Sequence, residues 1–167
     1  MPRLTLVRHA KSSWRFGSLD DFYRPLNKRG LRDCQKMPRH VLKRVPAPSL
    51  LLSSDAARAV QTAQALVDAY ALPADRVRVE HSLYLAEVDT LLEEIGLVPD
   101  SVAHLMLVGH NPGLSELLSA LVPQGAEPMP TFAVASLSLE LPSWEQIKPG
   151  CATLDEYFVP KDLIAAS

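Results

Sequence analysis

The chain has 167 residues, of which 47% are hydrophobic, and its 17 basic and 19 acidic side chains give a formal net charge of −2. A chain of this size can bury its own core, so we expect a single domain, 1–167, without disulfides or a structural metal. The mixed charge excludes the basic footprint of a nucleic-acid-binding protein, and the apolar run near the N-terminus is too short for a signal peptide or a membrane span. Cys34 and Cys151 lie far apart in the sequence, which favours reduced thiols and a cytoplasmic location.

The first predicted elements are strands and helices in alternation. Apolar runs at 4–7, 50–52 and 105–108 predict three central strands of a parallel sheet, since both faces of such strands are covered. Between the first two runs, 31–45 has helical spacing and predicts a helix that Pro38 kinks or splits. After the second run, apolar residues at 56–70 recur every three or four positions and predict a helix capped by Ser54 or Asp55.

The rest of the chain continues this pattern. Asn111 and Pro112, a cap followed by a first-turn proline, precede leucines at helical spacing and predict a helix that Pro123 helps to end. Alternating residues at 135–141 predict an antiparallel strand near the sheet edge, with 144–148 as its hairpin partner. The sequence therefore predicts an α/β fold of three layers, α/β/α, with a mainly parallel sheet and an antiparallel edge strand.

Cationic side chains and imidazoles follow each of the three central strands. Arg8 and His9 come after the first strand, Arg58 soon after the second, and His110 after the third. Ligands of open α/β sheets collect beyond the carboxyl ends of the strands, so we expect these four side chains to meet there. Arg58 would also oppose the dipole of its helix unless an anion lay between them.

This set of side chains suits phosphoryl transfer without a metal or cofactor. Arginines supply fixed charge and paired donors for a phosphoryl group, and a neutral imidazole is a competent nucleophile near neutral pH. We assign His9 as the nucleophile of a two-step covalent hydrolysis and His110 as a stabiliser of the transferring oxygens. The Ser12 hydroxyl is a further candidate donor to phosphate.

Structural roles compete with each of these assignments. A single buried histidine is more often part of the core than a catalyst, and Arg58 could pair with Asp55 on a helix surface. His40, His81 and His104 lack a placement at a strand end, and we interpret all three as structural. A metal ion held by His9 and His110 would be repelled by the two arginines and would lack an evident third ligand, which argues against a metal site.

Four ordered blocks resemble the histidine phosphatase superfamily and, within its phosphoglycerate-mutase-like branch, the SixA-type phosphohistidine phosphatases. They are LVRHAKSSW at 6–14, DFYRPLNKRG at 21–30, SSDAARAVQTA at 53–63 and LVGHNPG at 107–113. The resemblance implies a phosphoglycerate mutase-like fold with a catalytic core of Arg8, His9, Arg58 and His110. It also implies that Arg24 reaches the phosphate pocket or its rim, although an ion pair with Asp20 or Asp21 is an equal alternative.

The resemblance also bears on the substrate. Many relatives in the wider branch supply a carboxylic acid for an alkoxide leaving group, and Glu87 is the best positional candidate for that acid here. SixA-type proteins lack a clear acid, and a phosphohistidine leaving group needs less help. We therefore expect hydrolysis of phosphohistidine on a partner protein, such as a phosphotransfer domain or phosphocarrier in signal transduction, with phosphate as product. The alternatives are a small-molecule phosphomonoesterase with Glu87 or Asp21 as acid and, from another class, a non-catalytic phosphate-dependent binding module.

Overall fold

A six-stranded mixed sheet forms the centre of the fold in the computed structural model, which describes residues 1–15 and 17–165. Its strands are β1 (Arg3–Arg8), β2 (Leu50–Ser54), β3 (Val77–Glu80), β4 (His104–Gly109), β5 (Val134–Leu139) and β6 (Ala152–Phe158). Their order is β3-β2-β4-β1-β5-β6. The first four strands in this order are parallel, and β5 is antiparallel to both of its neighbours. The predicted mainly parallel sheet with antiparallel pairing toward one edge is confirmed.

Helices cover both faces of this sheet. They are α1 (Lys28–Val41), α2 (Ala57–Tyr70), α3 (Val88–Gly96), α4 (Gly113–Leu121) and the short α5 (Lys161–Ala165). The buried residues of α1 and α2 pack with Leu51 and Met106 on one face, whereas those of α3 and α4 pack with Leu50, Leu52 and Leu105 on the other. Successive residues of a strand point to opposite faces, so each apolar run feeds two cores and gives the predicted α/β/α layers.

The helix boundaries differ in part from the prediction. Pro38 lies inside a continuous α1, and Asn27 caps this helix by accepting a 2.8 Å hydrogen bond from the Gly30 N–H. The predicted caps of α2 are wrong: Ala56 is the N-cap residue, while the Ser54 hydroxyl accepts from the Ala56 N–H. Pro112 is the N-cap of α4 and not its first helical residue.

Several segments depart from the sequence-based assignment. Residues 144–148 do not return as a strand, because Trp144–Gln146 forms a 3-10 turn with Trp144 buried, and the partner of β5 is β6. β3, α3, β6 and α5 were not predicted. The side chains of β3 are half-buried or exposed, so this strand lacks the apolar run that identifies its neighbours.

The sheet brings the carboxyl ends of β1, β2 and β4 to one edge. β1 and β4 are in parallel register from Arg3 opposite His104 to Arg8 opposite Gly109, and β4 is paired with β2 on its other side. The loops that follow these strands therefore start side by side. Within the described ranges, no helix is both long and apolar enough to cross a membrane.

Candidate active site

His9 lies directly beyond β1 and is held by backbone and ring contacts. Its N–H donates to the Gly109 carbonyl at 3.1 Å, and its own carbonyl accepts from the Phe132 N–H at 3.0 Å. The ring Nδ1 lies 2.7 Å from the Ala10 carbonyl oxygen. Since a carbonyl can only accept, Nδ1 carries the proton of the neutral ring, and the lone pair is on Nε2.

The His9 imidazole is neutral at physiological pH. His9 is only 6% exposed. Burial lowers the pKa of its ring to about 4 and outweighs the hydrogen bond to Ala10, which raises this pKa, and the nearby Arg58, Arg8 and Arg24 lower it further. Both burial and nearby cations disfavour the imidazolium. The ring therefore keeps the unprotonated Nε2 that a nucleophile requires.

Arg58 lies in the first turn of α2 and points toward that nitrogen. Its Nε is 3.4 Å from His9 Nε2, which is long for a hydrogen bond and leaves the lone pair only weakly occupied. Nη1 donates to the Asp21 carbonyl at 2.7 Å and Nη2 to the Asp21 carboxylate at 2.9 Å. The alternative pairing of Arg58 with Asp55 is wrong, because Asp55 contacts His81.

His110 faces His9 from the end of β4. The two ring centroids are 5.2 Å apart, and His110 Nε2 lies 2.7 Å from the Ser54 hydroxyl at the end of β2. Burial, followed by the influence of His9 and Arg58, lowers the pKa of His110 to about 3, so this ring is also neutral. If the Ser54 hydroxyl donates to Nε2, the proton of His110 is on Nδ1.

Arg8 completes the group from the last residue of β1. Its Nη1 donates to the Met129 carbonyl at 3.0 Å, and burial together with Arg58 lowers its pKa. Arg8 Nε and His110 Nδ1 are buried nitrogens without a hydrogen-bond partner among the described residues. Buried polar nitrogens normally have partners, and two without acceptors beside Arg58 fit a site that receives an anion.

The comparisons with known proteins agree with this geometry. The profile of the histidine phosphatase superfamily (branch 1) matches residues 4–90, which hold β1, β2, His9 and Arg58. The chain belongs to the histidine phosphatase superfamily. An uncharacterized protein of Mycobacterium tuberculosis (strain ATCC 25618 / H37Rv) is 36% identical over 166 residues, which cover 93% of this chain and 100% of that protein.

Solved structures extend the match over nearly the whole chain. A SixA from Agrobacterium tumefaciens, assigned as a phosphohistidine phosphatase, is 29% identical, covers 95% of this chain and 99% of that one, and has a TM-score of 0.79. The protein histidine phosphatase SixA complexed with tungstate shares the fold at 24% identity, with a TM-score of 0.80 over 96% and 99% of the two chains. The SixA-type resemblance and the phosphoglycerate mutase-like fold are thus confirmed, and the protein is a phosphatase of the hydrolase class.

Asp21 joins three other side chains of the histidine phosphatase site, and its contacts with Arg58 and Tyr84 were not predicted from the sequence. Besides Arg58, it accepts a hydrogen bond from Arg24 at 2.7 Å and one from the Tyr84 hydroxyl at 2.5 Å. Burial alone would raise the pKa of Asp21, but these three donors outweigh it and hold the pKa well below its usual range. An ionised carboxylate of this kind is a poor general acid, which argues against the acid role considered for Asp21.

Arg24 connects Asp21 to Ser12. Arg24 Nη2 donates to the Ser12 hydroxyl at 2.6 Å, and its Nε donates to the Ser13 carbonyl at 2.9 Å. The Arg24 guanidinium also stacks on the Trp14 ring, 3.3 Å from its centroid. Of the two expectations for Arg24, the ion pair with Asp21 is therefore present. The Ser12 hydroxyl, a candidate donor to phosphate, accepts a hydrogen bond from Arg24 in this structure.

Glu87 is exposed and stands just before α3. It lines a cavity of about 380 Å³ together with Pro112 and Gly113, which follow His110 in the sequence. Its carboxylate has no ion pair or hydrogen bond with the residues that the structure describes. Those same residues include no group of three or more His, Cys, Asp or Glu arranged to hold a metal ion.

Two other site residues could have been found from the sequence to different degrees. Ser54 ends β2, so the strand-end argument that selected His110 applies to it equally. Tyr84 contacts both Asp21 and, edge to face, the His110 ring. The strand-end argument did not reach Tyr84, because this residue follows β3, and β3 has no apolar run to identify it as a strand.

Proposed function

We propose that this phosphatase hydrolyses phosphohistidine on a partner protein through a covalent intermediate on His9. The observation that carries the proposal is the neutral His9 ring, whose Nδ1 is held by the Ala10 carbonyl and whose Nε2 faces Arg58 Nε at 3.4 Å. An unprotonated nucleophilic nitrogen beside a cationic donor that can bind the phosphoryl oxygens is the combination that covalent phosphoryl transfer uses.

In the first step, His9 Nε2 forms a bond to phosphorus as the phosphorus–nitrogen bond of the substrate breaks. The electron pair of that bond returns to the leaving imidazole, which departs as a neutral ring when its second nitrogen is protonated beforehand. In the second step, a water oxygen bonds to phosphorus, the bond to Nε2 breaks, and its electron pair returns to His9. Phosphate and one proton are released, and the neutral ring is restored.

The other residues stabilise the charge on the transferring oxygens. Asp21 occupies both terminal nitrogens of Arg58, so Arg58 Nε stays directed at His9 Nε2. Arg8 Nε supplies a further buried donor, and His110 Nδ1 supplies another when the Ser54 hydroxyl donates to His110 Nε2. Donors fixed before the reaction cost no reorganisation in the transition state, which is the main source of electrostatic catalysis.

The leaving group favours phosphohistidine over an ester. Asp21 is held ionised by its three donors, and within the described residues no carboxylate forms a hydrogen bond or ion pair with His9 or His110. An alkoxide leaving group needs an acid, whereas the imidazole of phosphohistidine does not. The small-molecule phosphomonoesterase remains the second candidate because the unpaired Glu87 lines a cavity beside the residues that follow His110.

We expect kcat/KM for a phosphorylated phosphocarrier or phosphotransfer domain to exceed that for phosphomonoesters by at least about tenfold, since no acid assists ester cleavage. The measurement is phosphate release by the purified protein from both substrate classes. The same measurement is made on Glu87→Gln, for which we expect an unchanged kcat/KM on the phosphohistidine protein. Comparable turnover of esters, with a marked loss in Glu87→Gln, would establish the phosphomonoesterase instead.

The protonation of His9 gives an independent prediction. Because its pKa is lowered to about 4, the ring should remain neutral from pH 8 to about pH 5 and gain a proton only as the pH falls through about 4. Nitrogen-15 NMR of the imidazoles, assigned with His9→Ala, should show the Nδ1–H form at pH 7. A titration midpoint above pH 6 would contradict the assigned environment.

A further inference from the structure

The exposed face of α1 carries a row of cations that the phosphoryl-transfer site does not use. Its five members, here called the basic stripe, are Lys28, Arg29, Arg32, Lys36 and Arg39, and all five are exposed. At about 100° per residue they fall within an arc of roughly 100° on the helix surface. The opposite side of α1 is buried against the sheet through Met37 and Val41.

These cations are poorly neutralised by the protein itself. Arg29–Asp33, at 4.0 Å, is the one ion pair formed by the stripe within residues 1–15 and 17–165. The first turn of α1 contains Lys28 and Arg29 and no acidic residue, although the helix dipole disfavours cations there. The whole chain has a net charge of −2, so this positive charge is a local feature of one face.

Two cavities adjoin the basic stripe and meet at Arg29. One, of about 600 Å³, is also lined by Lys11, Trp14 and Arg15. The other, of about 370 Å³, is also lined by Lys36 and Lys161. Arg29 lines both, so a surface with more cations than carboxylates, Asp33 being the one acidic residue that lines either cavity among the described residues, continues from the loop after β1 to the start of α5.

This surface leads to the catalytic centre through a chain of contacts. Ser12, in the first cavity, accepts from Arg24, which pairs with Asp21, which in turn holds Arg58. Gly30 brings α1 against the same loop, because a Cβ at this position would lie 2.2 Å from the Lys11 carbonyl oxygen. A partner seated on the N-terminal end of the stripe would therefore also meet the loop after β1, which carries His9 and Ser12.

We infer that the basic stripe docks an acidic surface of the protein that carries the phosphohistidine, an inference that rests on the proposed function. Charge complementarity identifies the partner chemistry, since clustered carboxylates would supply the anions that the stripe lacks. The exposed Trp14 and Leu31 supply apolar contacts beside the charges, at 75% and 47% exposure. Large aromatic side chains within a charged rim are typical of protein interfaces.

The test uses a Glu-rich peptide with a central histidine and a counterpart in which Gln replaces each Glu. Binding of the unphosphorylated peptides is measured by fluorescence anisotropy, and hydrolysis is measured on the phosphorylated peptides and on free phosphohistidine. Lys28→Glu/Arg32→Glu/Lys36→Glu should weaken binding of the Glu-rich peptide by at least about tenfold. It should lower kcat/KM for that peptide similarly and leave free phosphohistidine within about twofold.

The matched control reverses three exposed cations outside the stripe, in Lys43→Glu/Arg76→Glu/Lys148→Glu, and should leave all of these values within about twofold. Equal binding of the Glu-rich and Gln peptides, or equal losses in the two triple variants, would overturn the docking surface. Tighter binding of a DNA duplex or of phosphatidylserine vesicles would overturn the choice of partner. Absence of phosphohistidine hydrolysis with the binding pattern intact would instead refute the proposed function alone.

Discussion

Replacement of His9 by Ala is expected to lower kcat on a phosphohistidine protein by at least about a thousandfold, because no other side chain that the structure describes presents a lone pair at this position. His9 Nε2 lies opposite Arg58 Nε, whereas His110 is tied to Ser54 through its own Nε2. The measurements are steady-state phosphate release and single-turnover trapping of the labelled enzyme at neutral pH, where phosphohistidine survives. Label should appear on His9 in the wild type and be absent from His9→Ala.

His104 offers a matched control for this variant. It is buried to the same degree as His9, at 5% and 6% exposure, and burial also lowers its pKa to about 4. It is the first residue of β4, so it lies at the amino ends of the parallel strands, away from the active site, and its ring contacts the Thr5 hydroxyl. We expect His104→Ala to destabilise the fold without removing turnover of the folded fraction. Wild-type kcat in His9→Ala, or label on another residue, would show that the nucleophile is misassigned.

The sequence was informative where one physical signal dominated. β1, β2 and β4 are recognisable because strands covered on both faces must be apolar throughout, and the four proposed catalytic residues follow from these strand ends. β3 was not predicted, because an edge strand with exposed side chains has no such apolar pattern. Residues 144–148 were misassigned because Trp144 is buried in a turn, and a short apolar segment does not reveal whether it is a strand.

The contacts of Asp21 show a second limit of prediction from sequence. Asp21 and Tyr84 are 63 positions apart in sequence, so no local pattern links them. The local sequence offered Asp21 as a partner of Arg24, but it does not show that the same carboxylate also binds Arg58 and Tyr84. Contacts of this kind depend on how the loops after β1 and β3 approach each other, which composition and periodicity do not encode.

Arg58→Ala is expected to lower kcat/KM by on the order of a hundredfold or more, the cost of losing a preorganised electrostatic contact. Arg58→Lys should recover only part of this loss, because Lys keeps the charge but cannot hold Asp21 with two nitrogens while directing a third at His9. Arg44→Ala is the control, since Arg44 is exposed and pairs with Glu156.

The same variants separate a role in the reaction from a role in folding. Arg58 is among the cations that lower the pKa of His9, although burial is the larger cause. In Arg58→Ala the pKa of His9 should therefore rise toward, but not reach, its ordinary value, and in Arg58→Lys it should stay near that of the wild type. A folded Arg58→Ala protein with unchanged kcat/KM and an unchanged His9 titration would mean that Arg58 does not act on the nucleophile. A raised pKa with reduced turnover would tie the guanidinium to the atom at which the phosphoryl group is transferred.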